Sequence, residues 1–266
     1  MPGIFADPPT FTPLPMNPSD PSSTSRRHWL QGALTLGALG TLVPPARAAE
    51  APASKLQLKK GDVILFQGDS ITDDGRDKGV MDANHGKALG RGYAAVASGQ
   101  ILFGHPDLEL KCYNRGISGH KIPDLAARWD KDTVALKPAV LSILIGVNDL
   151  WHTFAFGNKY KATVEDYERG YRELIQRSQK EIPGVAIVIC EPFTTRTSDD
   201  FKPLAGYREV SRKLADEMKL PFVPFQSLFD EAVKAAPAEF WLWDGIHPSP
   251  AGHALMARQW REVVGI

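Results

Sequence analysis

Residues 62–72 have the sequence DVILFQGDSIT, in which an almost continuous apolar run ends at Gly68. A short apolar run bounded by turn residues is typical of a strand that is covered on both faces. The glycine permits a tight turn after such a strand, and Ser70 follows within that turn. The stretch therefore predicts a buried strand with a hydroxyl group just beyond its carboxyl end.

Similar apolar runs recur along the chain and alternate with longer stretches of helical periodicity. This alternation indicates parallel strands joined by right-handed helical crossovers. The sequence therefore predicts an α/β fold, with one parallel sheet of five strands between two layers of helices. The predicted strands are 63–67, 108–113, 139–145, 186–190 and 222–223, and the predicted helices are 92–103, 122–136, 163–182, 204–218 and 250–264.

The first 48 residues have the features of an export signal. Arg26-Arg27 precedes an uncharged apolar run that ends near Val43, and Ala46-Arg47-Ala48 follows as a cleavage site. The apolar run is too short for a stable membrane anchor. We expect a twin-arginine-type signal with a Pro-rich lead at 1–48, a flexible leader at 49–60, one domain at 61–266, and a periplasmic or secreted product. An uncleaved anchor and a chance arginine pair are the alternatives.

Charge and cysteine content limit the partners of the chain. Its 31 basic and 31 acidic side chains balance, and no basic stripe or polybasic cluster interrupts the balance. Nucleic acids and anionic membranes are bound by such clusters, so we expect a small or neutral partner. Cys112 and Cys190 end strands that are not neighbours in the predicted sheet, which favours two buried thiols over a disulfide. The sequence leaves open whether the chain forms a homo-oligomer.

Polar residues or glycines follow the first three predicted strands. Ser70 follows the first strand, Gly116 the second and Asn148 the third. Ligands of open parallel sheets bind beyond the carboxyl ends of the strands. There a serine can act as a nucleophile, and a glycine N–H or an asparagine amide can donate to an oxyanion. Each residue by itself is more typical of a turn or a helix cap, and only their common order favours a site.

A fourth cluster lies near the C-terminus, in the sequence Asp244-Gly245-Ile246-His247. A carboxylate three residues before a histidine can orient the imidazole and stabilise its protonated form. The same spacing is compatible with half of a metal site or with a surface pair. In combination with the other clusters, it completes a set of nucleophile, base, orienting acid and oxyanion donors.

The four clusters resemble the conserved blocks of the SGNH (GDSL-type) hydrolases over residues 62–266. Ile71 stands where the family name has leucine, which changes packing only. The resemblance implies a flavodoxin-like strand order and an acyl-enzyme mechanism that needs no metal or organic cofactor. It implies a triad of Ser70, Asp244 and His247, with an oxyanion hole of the Ser70 amide, Gly116 and Asn148.

Flanking residues resemble the carbohydrate-esterase branch of that family, and bacterial acetyl-xylan esterases in particular. The stretches that carry this resemblance are 73–76 (DDGR), 127–129 (ARW), 151–152 (WH) and 241–243 (WLW). Exposed aromatic faces can stack on sugar rings. The resulting candidates for substrate contact are Asp69, Arg76, Trp151, His152 and Trp241.

The function expected from the sequence is a serine esterase that removes short acyl groups, acetyl above all, from carbohydrates. A lysophospholipase or thioesterase with the same triad is the alternative, and it would prefer long acyl chains. A further alternative is a non-catalytic carbohydrate-binding module, which would not be labelled at Ser70 by a fluorophosphonate. The last alternative is a metal-dependent hydrolase that uses Asp69, Asp149, Asp244 and His247, and such an enzyme would be sensitive to chelators.

Overall fold

Five parallel strands form the central sheet, in the order β2-β1-β3-β4-β5. The computed structural model describes residues 56–157 and 159–266, so the predicted signal at 1–48 and residues 49–55 of the leader lie outside the described residues. The order is the flavodoxin-like one, and the predicted fold class is confirmed. The strands are β1 (Val63–Gly68), β2 (Lys111–Asn114), β3 (Val140–Leu144), β4 (Ala186–Cys190) and β5 (Phe222–Val223).

Helices cover both faces of the sheet. Adjacent residues of a strand point to opposite faces. Phe66 of β1 packs on Trp260, with 4.9 Å between ring centroids, whereas the Gln67 amide donates to the Asp132 carbonyl at 2.9 Å. Trp260 lies on α10 and Asp132 ends α4, so these two helices cover opposite faces. The helices are α1 (Ser70–Asp73), α2 (Gly86–Leu89), α3 (Tyr93–Gly104), α4 (Ile122–Asp132), α5 (Val147–Trp151), α6 (Val164–Glu181), α7 (Leu204–Met218), α8 (Phe225–Ala232), α9 (Ala238–Trp241) and α10 (Pro250–Val264).

Within each of the two layers, the helices pack against one another. Helices α3 and α8 pack with α10, and α6 packs between α4 and α7. Indole groups at the centre of both layers are buried with their N–H groups satisfied. Trp260 donates to Ser142 at 2.9 Å, and Trp129 donates to Ser178 at 3.0 Å. Both cysteines of the chain are buried free thiols, as predicted.

Some predicted boundaries differ from the structure. The second strand begins at Lys111 instead of 108, because Pro106–Leu108 form a 3₁₀ turn and Glu109 has a left-handed backbone (φ 49°). The predicted helix 122–136 ends at Asp132, and Val134–Leu136 form a separate 3₁₀ turn. Helix α8 and the short helices α1, α2, α5 and α9 were not predicted. In the described part of the chain, no helix has both the length and the apolar character needed to cross a membrane.

The register of the sheet positions the first and third clusters. Gly68 at the end of β1 pairs with Leu144 at the end of β3. The residues that follow these two strands, Ser70 and Asn148, therefore emerge at the same edge. Gly68 has no room for a side chain, because a Cβ there would lie 2.3 Å from Thr72 Oγ1 and 2.4 Å from the Leu144 carbonyl oxygen.

We expect Gly68→Ala to lower the free energy of unfolding by about 1–3 kcal/mol, because the added methyl group overpacks the junction of β1 and β3. Equilibrium unfolding in urea measures the change. The matched control is Gly99→Ala on the exposed side of α3, where a Cβ would meet no atom within 4 Å. That variant should gain roughly 0.5–1 kcal/mol from helix propensity. A Gly68→Ala protein as stable as the wild type would contradict the packing argument.

Candidate active site

Ser70 is the first residue of α1, directly beyond β1. The preceding residue, Asp69, caps this helix, and its Oδ1 accepts the Ile71 N–H at 3.0 Å. Ser70 Oγ lies 2.8 Å from His247 Nε2, although the two residues are 177 positions apart. The hydroxyl and the imidazole are thus within hydrogen-bonding distance.

Asp244 fixes the orientation of the His247 ring. Asp244 Oδ2 lies 2.9 Å from His247 Nδ1, and Oδ1 accepts the backbone N–H groups of Ile246 and His247 at 2.9 and 2.8 Å. Burial by itself raises the pKa of Asp244, but the hydrogen bonds from His247 and Ile246 outweigh it and hold the pKa below its usual value. The ionised carboxylate therefore accepts from Nδ1, and Nε2 is left to accept a proton from Ser70.

Arg196, which was not among the residues predicted from the sequence, supports the loop that carries Asp244. Its Nε donates to the Asp244 carbonyl at 2.8 Å, and its Nη2 lies 3.4 Å from Asp244 Oδ2. The guanidinium lies over the Trp151 ring, 4.7 Å from the centroid. Thr194 and Thr195, next to it, both donate to the Gly245 carbonyl at 2.9 Å. The one available signal was its position in the segment after β4, at the same edge of the sheet as the other clusters.

Asn148 lies on α5, just beyond β3, and is 4% exposed. One hydrogen of its side-chain amide is donated to the His120 carbonyl at 3.2 Å. The second amide hydrogen is left for another acceptor. The geometry is compatible with the expected role of Asn148 as an oxyanion donor.

Gly116 does not have a free backbone N–H, contrary to the expectation from the sequence. The residue is buried, and its N–H donates to Asn114 Oδ1 at 2.9 Å. Three residues later, Gly119 is half-buried with φ +81°, and within the described part of the chain its N–H has no acceptor. Gly119 also precedes His120, whose carbonyl binds Asn148. The structure therefore favours Gly119 over Gly116 as the backbone donor.

Asp69 and Arg76, which we expected to contact substrate, are 1% and 7% exposed. Because both side chains are buried, neither can contact a substrate at the surface, and both have structural roles instead. Arg76 Nε donates to the Gly116 carbonyl at 2.6 Å. Asp73, three residues before it, accepts the Ser118 N–H at 2.9 Å and the Ser118 hydroxyl at 2.7 Å. These two side chains hold the loop that carries Gly119.

The aromatic candidates differ in their exposure and in their ring contacts. Trp151 is half-buried, with its ring 6.4 Å from the imidazole, and the half-buried His152 packs on Phe156. Trp241 is half-buried, and within the described residues its buried indole N–H has no partner. Trp243, which was not among the candidates, is 63% exposed and stacks on His247 at 5.6 Å. In the WLW stretch, the third position and not the first therefore presents the exposed ring.

A cavity of about 410 Å³ opens beside the catalytic candidates. Ser70, Ser118, His247 and Trp243 are among the residues that line it. Among residues 56–157 and 159–266, no group of three or more His, Cys, Asp or Glu side chains is arranged to hold a metal ion.

Asp149, directly after Asn148, is a buried carboxyl group. Its Oδ1 accepts the Ile122 N–H at 3.0 Å, and no partner for Oδ2 lies in the described part of the chain. Burial raises the pKa of Asp149 to about 7 and that of Asp69 also to about 7. Asp149 joins the start of α4 to α5, and so connects the segment of His120 with that of Asn148.

Comparisons with known proteins identify relatives of the chain. A family model described as GDSL-like Lipase/Acylhydrolase matches residues 66–255. An acetylxylan esterase from Geobacillus stearothermophilus is 34% identical over 215 residues, which are 79% of this chain and 97% of the relative. The crystal structure of a GDSL-like lipase from Parabacteroides merdae has a TM-score of 0.76 at 48% identity, covering 80% of this chain and 99% of its own. The crystal structure of the Geobacillus esterase has a TM-score of 0.73 at 32% identity, covering 79% and 97%.

We expect Asp149→Asn to change how stability depends on pH. In the unfolded chain an aspartate ionises near pH 4, about 3 units below the native value, so the native state holds a proton that the unfolded state has released. Wild-type stability therefore falls as pH rises from 4 to 7, by up to about 4 kcal/mol from this group. The Asp149→Asn variant has no carboxyl group at this position, so this fall in stability is absent from it.

Urea unfolding of both proteins between pH 4 and 8 gives the difference in unfolding free energy, variant minus wild type. This difference should grow with pH and level off above pH 7. Asp69→Asn should change in the same direction, since burial raises the pKa of Asp69 as well. A difference that is constant with pH would show that Asp149 is ionised in the native state throughout this range.

Proposed function

The chain belongs to the GDSL-like lipase/acylhydrolase family and is a carboxylic-ester hydrolase, and on this premise we propose that it removes acetyl groups from carbohydrates. The observation that carries the proposal is the chain of two contacts from Ser70 Oγ to His247 Nε2 (2.8 Å) and from His247 Nδ1 to Asp244 Oδ2 (2.9 Å). In this proposal the three residues are the catalytic triad.

The reaction has two acyl-transfer steps. His247 takes the proton of Ser70 as the hydroxyl oxygen attacks the ester carbonyl, and Asp244 stabilises the imidazolium. The oxyanion accepts hydrogen bonds from the Ser70 amide, at the open N-terminus of α1, and from the Asn148 side chain. Gly119 takes the place of Gly116 as the third donor. His247 then protonates the departing alcohol, and water releases the acyl group by the same steps.

The surroundings of Ser70 support a polar alcohol such as a carbohydrate. The adjoining cavity of about 410 Å³ includes the charged side chains of Asp74 and Arg91, which suit an alcohol with further hydroxyl groups better than an apolar one. The exposed ring of Trp243 can stack on a sugar. The similarity to an acetylxylan esterase supports the same substrate class.

A substrate panel tests the proposal. It contains acetylated xylooligosaccharides, acetylated hexoses, p-nitrophenyl acetate and p-nitrophenyl octanoate, with product masses and kcat/KM as readouts. We expect the acetylated carbohydrates and the acetate to be hydrolysed much faster than the octanoate, with no effect of a chelator. Ser70→Ala should lower kcat by about 10⁴–10⁶-fold, because the nucleophile is lost.

Each arm of this panel can contradict one part of the proposal. A preference for the octanoate would indicate the lysophospholipase or thioesterase alternative. Inhibition by a chelator would indicate the metal-dependent alternative. Turnover retained by Ser70→Ala would show that Ser70 is not the nucleophile and would overturn the proposed triad.

We also propose that residues 1–48 direct export through the arginine pair. The pair, the apolar run and the Ala46-Arg47-Ala48 site support this assignment.

Replacing both Arg26 and Arg27 by lysine should leave the protein in the cytoplasm with residues 1–48 attached, because a twin-arginine signal is read by its receptor. Fractionation of a bacterial host and N-terminal mass analysis measure this. Arg47→Lys, which alters a nearby arginine outside the pair, is the control and should be exported. Export of the double variant at the wild-type level would exclude this pathway.

A further inference from the structure

The cavity beside Ser70 contains a second histidine–aspartate pair that the acyl transfer does not use. His253 Nε2 lies 3.1 Å from Asp74 Oδ2, and both residues line the cavity. His253 is 4% exposed, whereas a quarter of the Asp74 side chain is exposed. The carboxylate therefore reaches the cavity and the imidazole lies behind it.

The hydrogen bonds of His253 assign its protons. The Tyr93 backbone N–H donates to His253 Nδ1 at 3.0 Å, so Nδ1 is an acceptor and Nε2 carries the hydrogen. Burial lowers the pKa of His253, which keeps the ring neutral. His253 is therefore a fixed donor to Asp74 Oδ2. It cannot serve as a second base for Ser70, because neither of its ring nitrogens has a lone pair left.

Asp74 keeps capacity to accept further hydrogen bonds. Its Oδ1 is 3.5 Å from Arg91 Nε, a long contact, and the Arg91 side chain is 80% exposed. Each carboxylate oxygen can accept two hydrogen bonds. An oriented carboxylate with free lone pairs, beside a guanidinium with free N–H groups, matches the alternating donors and acceptors of neighbouring hydroxyl groups.

The cavity lies on the side of the departing alcohol. The alcohol oxygen must receive its proton from His247 Nε2, so the alcohol has to lie against His247. The walls of the cavity include His247 and the exposed ring of Trp243, stacked on it, but not the oxyanion donor Asn148. The polar groups of Asp74 and Arg91 suit an alcohol better than an acetyl methyl group.

We propose that this cavity is the subsite for the alcohol part of the ester, a neutral polyhydroxylated sugar ring that donates a hydroxyl to Asp74 and contacts Arg91 and Trp243. The assignment rests on the proposed deacetylation of carbohydrates and names the residues that select a sugar over an alcohol without further hydroxyl groups. Asp74 is a specificity residue in this assignment, and His253 positions it.

The test compares two esters that share the acyl group and differ in the alcohol. Monoacetylated methyl xyloside has free ring hydroxyls, whereas cyclohexyl acetate has a six-membered ring without them. Asp74→Asn keeps the size of the side chain and an oxygen for His253 but removes the charge. It should lower the ratio of kcat/KM for the xyloside ester to that for cyclohexyl acetate by about 10- to 100-fold, the usual loss for a hydrogen bond to a charged acceptor, mainly through KM.

Two further variants keep the test independent of folding. Arg91→Met changes an exposed side chain and should lower the same ratio by roughly 3- to 10-fold. Asp107→Asn, an exposed aspartate in the turn before β2, is the control and should leave both substrates unaffected. Unfolding in urea checks that each variant is folded at the assay temperature.

The possible outcomes separate the subsite from the proposed function. An unchanged ratio in both Asp74→Asn and Arg91→Met, in an enzyme that prefers the sugar ester, would overturn the subsite alone. Equal losses on the two substrates would also overturn it, because Asp74 would then only support the loop structure. A wild-type enzyme that hydrolyses cyclohexyl acetate but no acetylated sugar would overturn the carbohydrate function and the subsite together.

Discussion

The contact between Ser70 and His247 depends on a loop that is held from outside the proposed triad. His247 reaches Ser70 because Asp244 is anchored, and Asp244 is anchored by the segment after β4. Arg196 binds both the carbonyl and the carboxylate of Asp244, and Thr194 and Thr195 bind the Gly245 carbonyl. On the other side of the loop, Leu242 and Pro248 form an antiparallel bridge. The proposed base, His247, is therefore positioned by the contact of its ring with Asp244 and by the contacts that hold the Asp244 loop, and such supporting contacts keep a site in its working geometry.

The sequence allowed the fold to be predicted because its signals are local. Apolar runs of strand length, with turn residues at their ends, can be recognised without any tertiary contact. The predicted topology then placed the clusters at one edge of the sheet. The roles of Gly116 and Gly119 could not be separated in this way. Both glycines lie in one six-residue block, and the difference between them is the direction of an N–H, which is set by Asn114 for one and left open for the other. Asn114 is itself oriented by its amide, which donates to the Thr72 carbonyl of α1 at 2.6 Å, and no spacing in the sequence reveals this contact.

Exposure was the second property that the sequence could not provide. Asp69 and Arg76 have ionisable side chains and are close to Ser70 in the sequence, which made them candidates for substrate contact, yet both are buried. Burial of charge costs free energy unless each group finds partners. Asp69 accepts the Ile71 N–H, and burial raises its pKa to about 7. Arg76 donates to the Gly116 carbonyl and lies 3.7 Å from Asp73 Oδ1, while its Nη1 has no partner in the described part of the chain. These two side chains therefore support the loops around Ser70, and the free energy lost by burying them accompanies a pre-organised site.

The two histidines that line the cavity, His247 and His253, show that the partner of Nδ1 decides whether Nε2 accepts or donates a hydrogen bond. In His247, Nδ1 donates to an ionised carboxylate, so Nε2 has a free lone pair that points to Ser70. In His253, Nδ1 accepts a backbone N–H, so Nε2 must carry the hydrogen that it gives to Asp74. The first arrangement produces a base, and the second produces a neutral clamp that holds a carboxylate ready to accept. A histidine next to an aspartate is thus not evidence of a second catalytic centre. The partner of the remaining nitrogen decides the tautomer, and the tautomer decides which part of the ester the pair can serve.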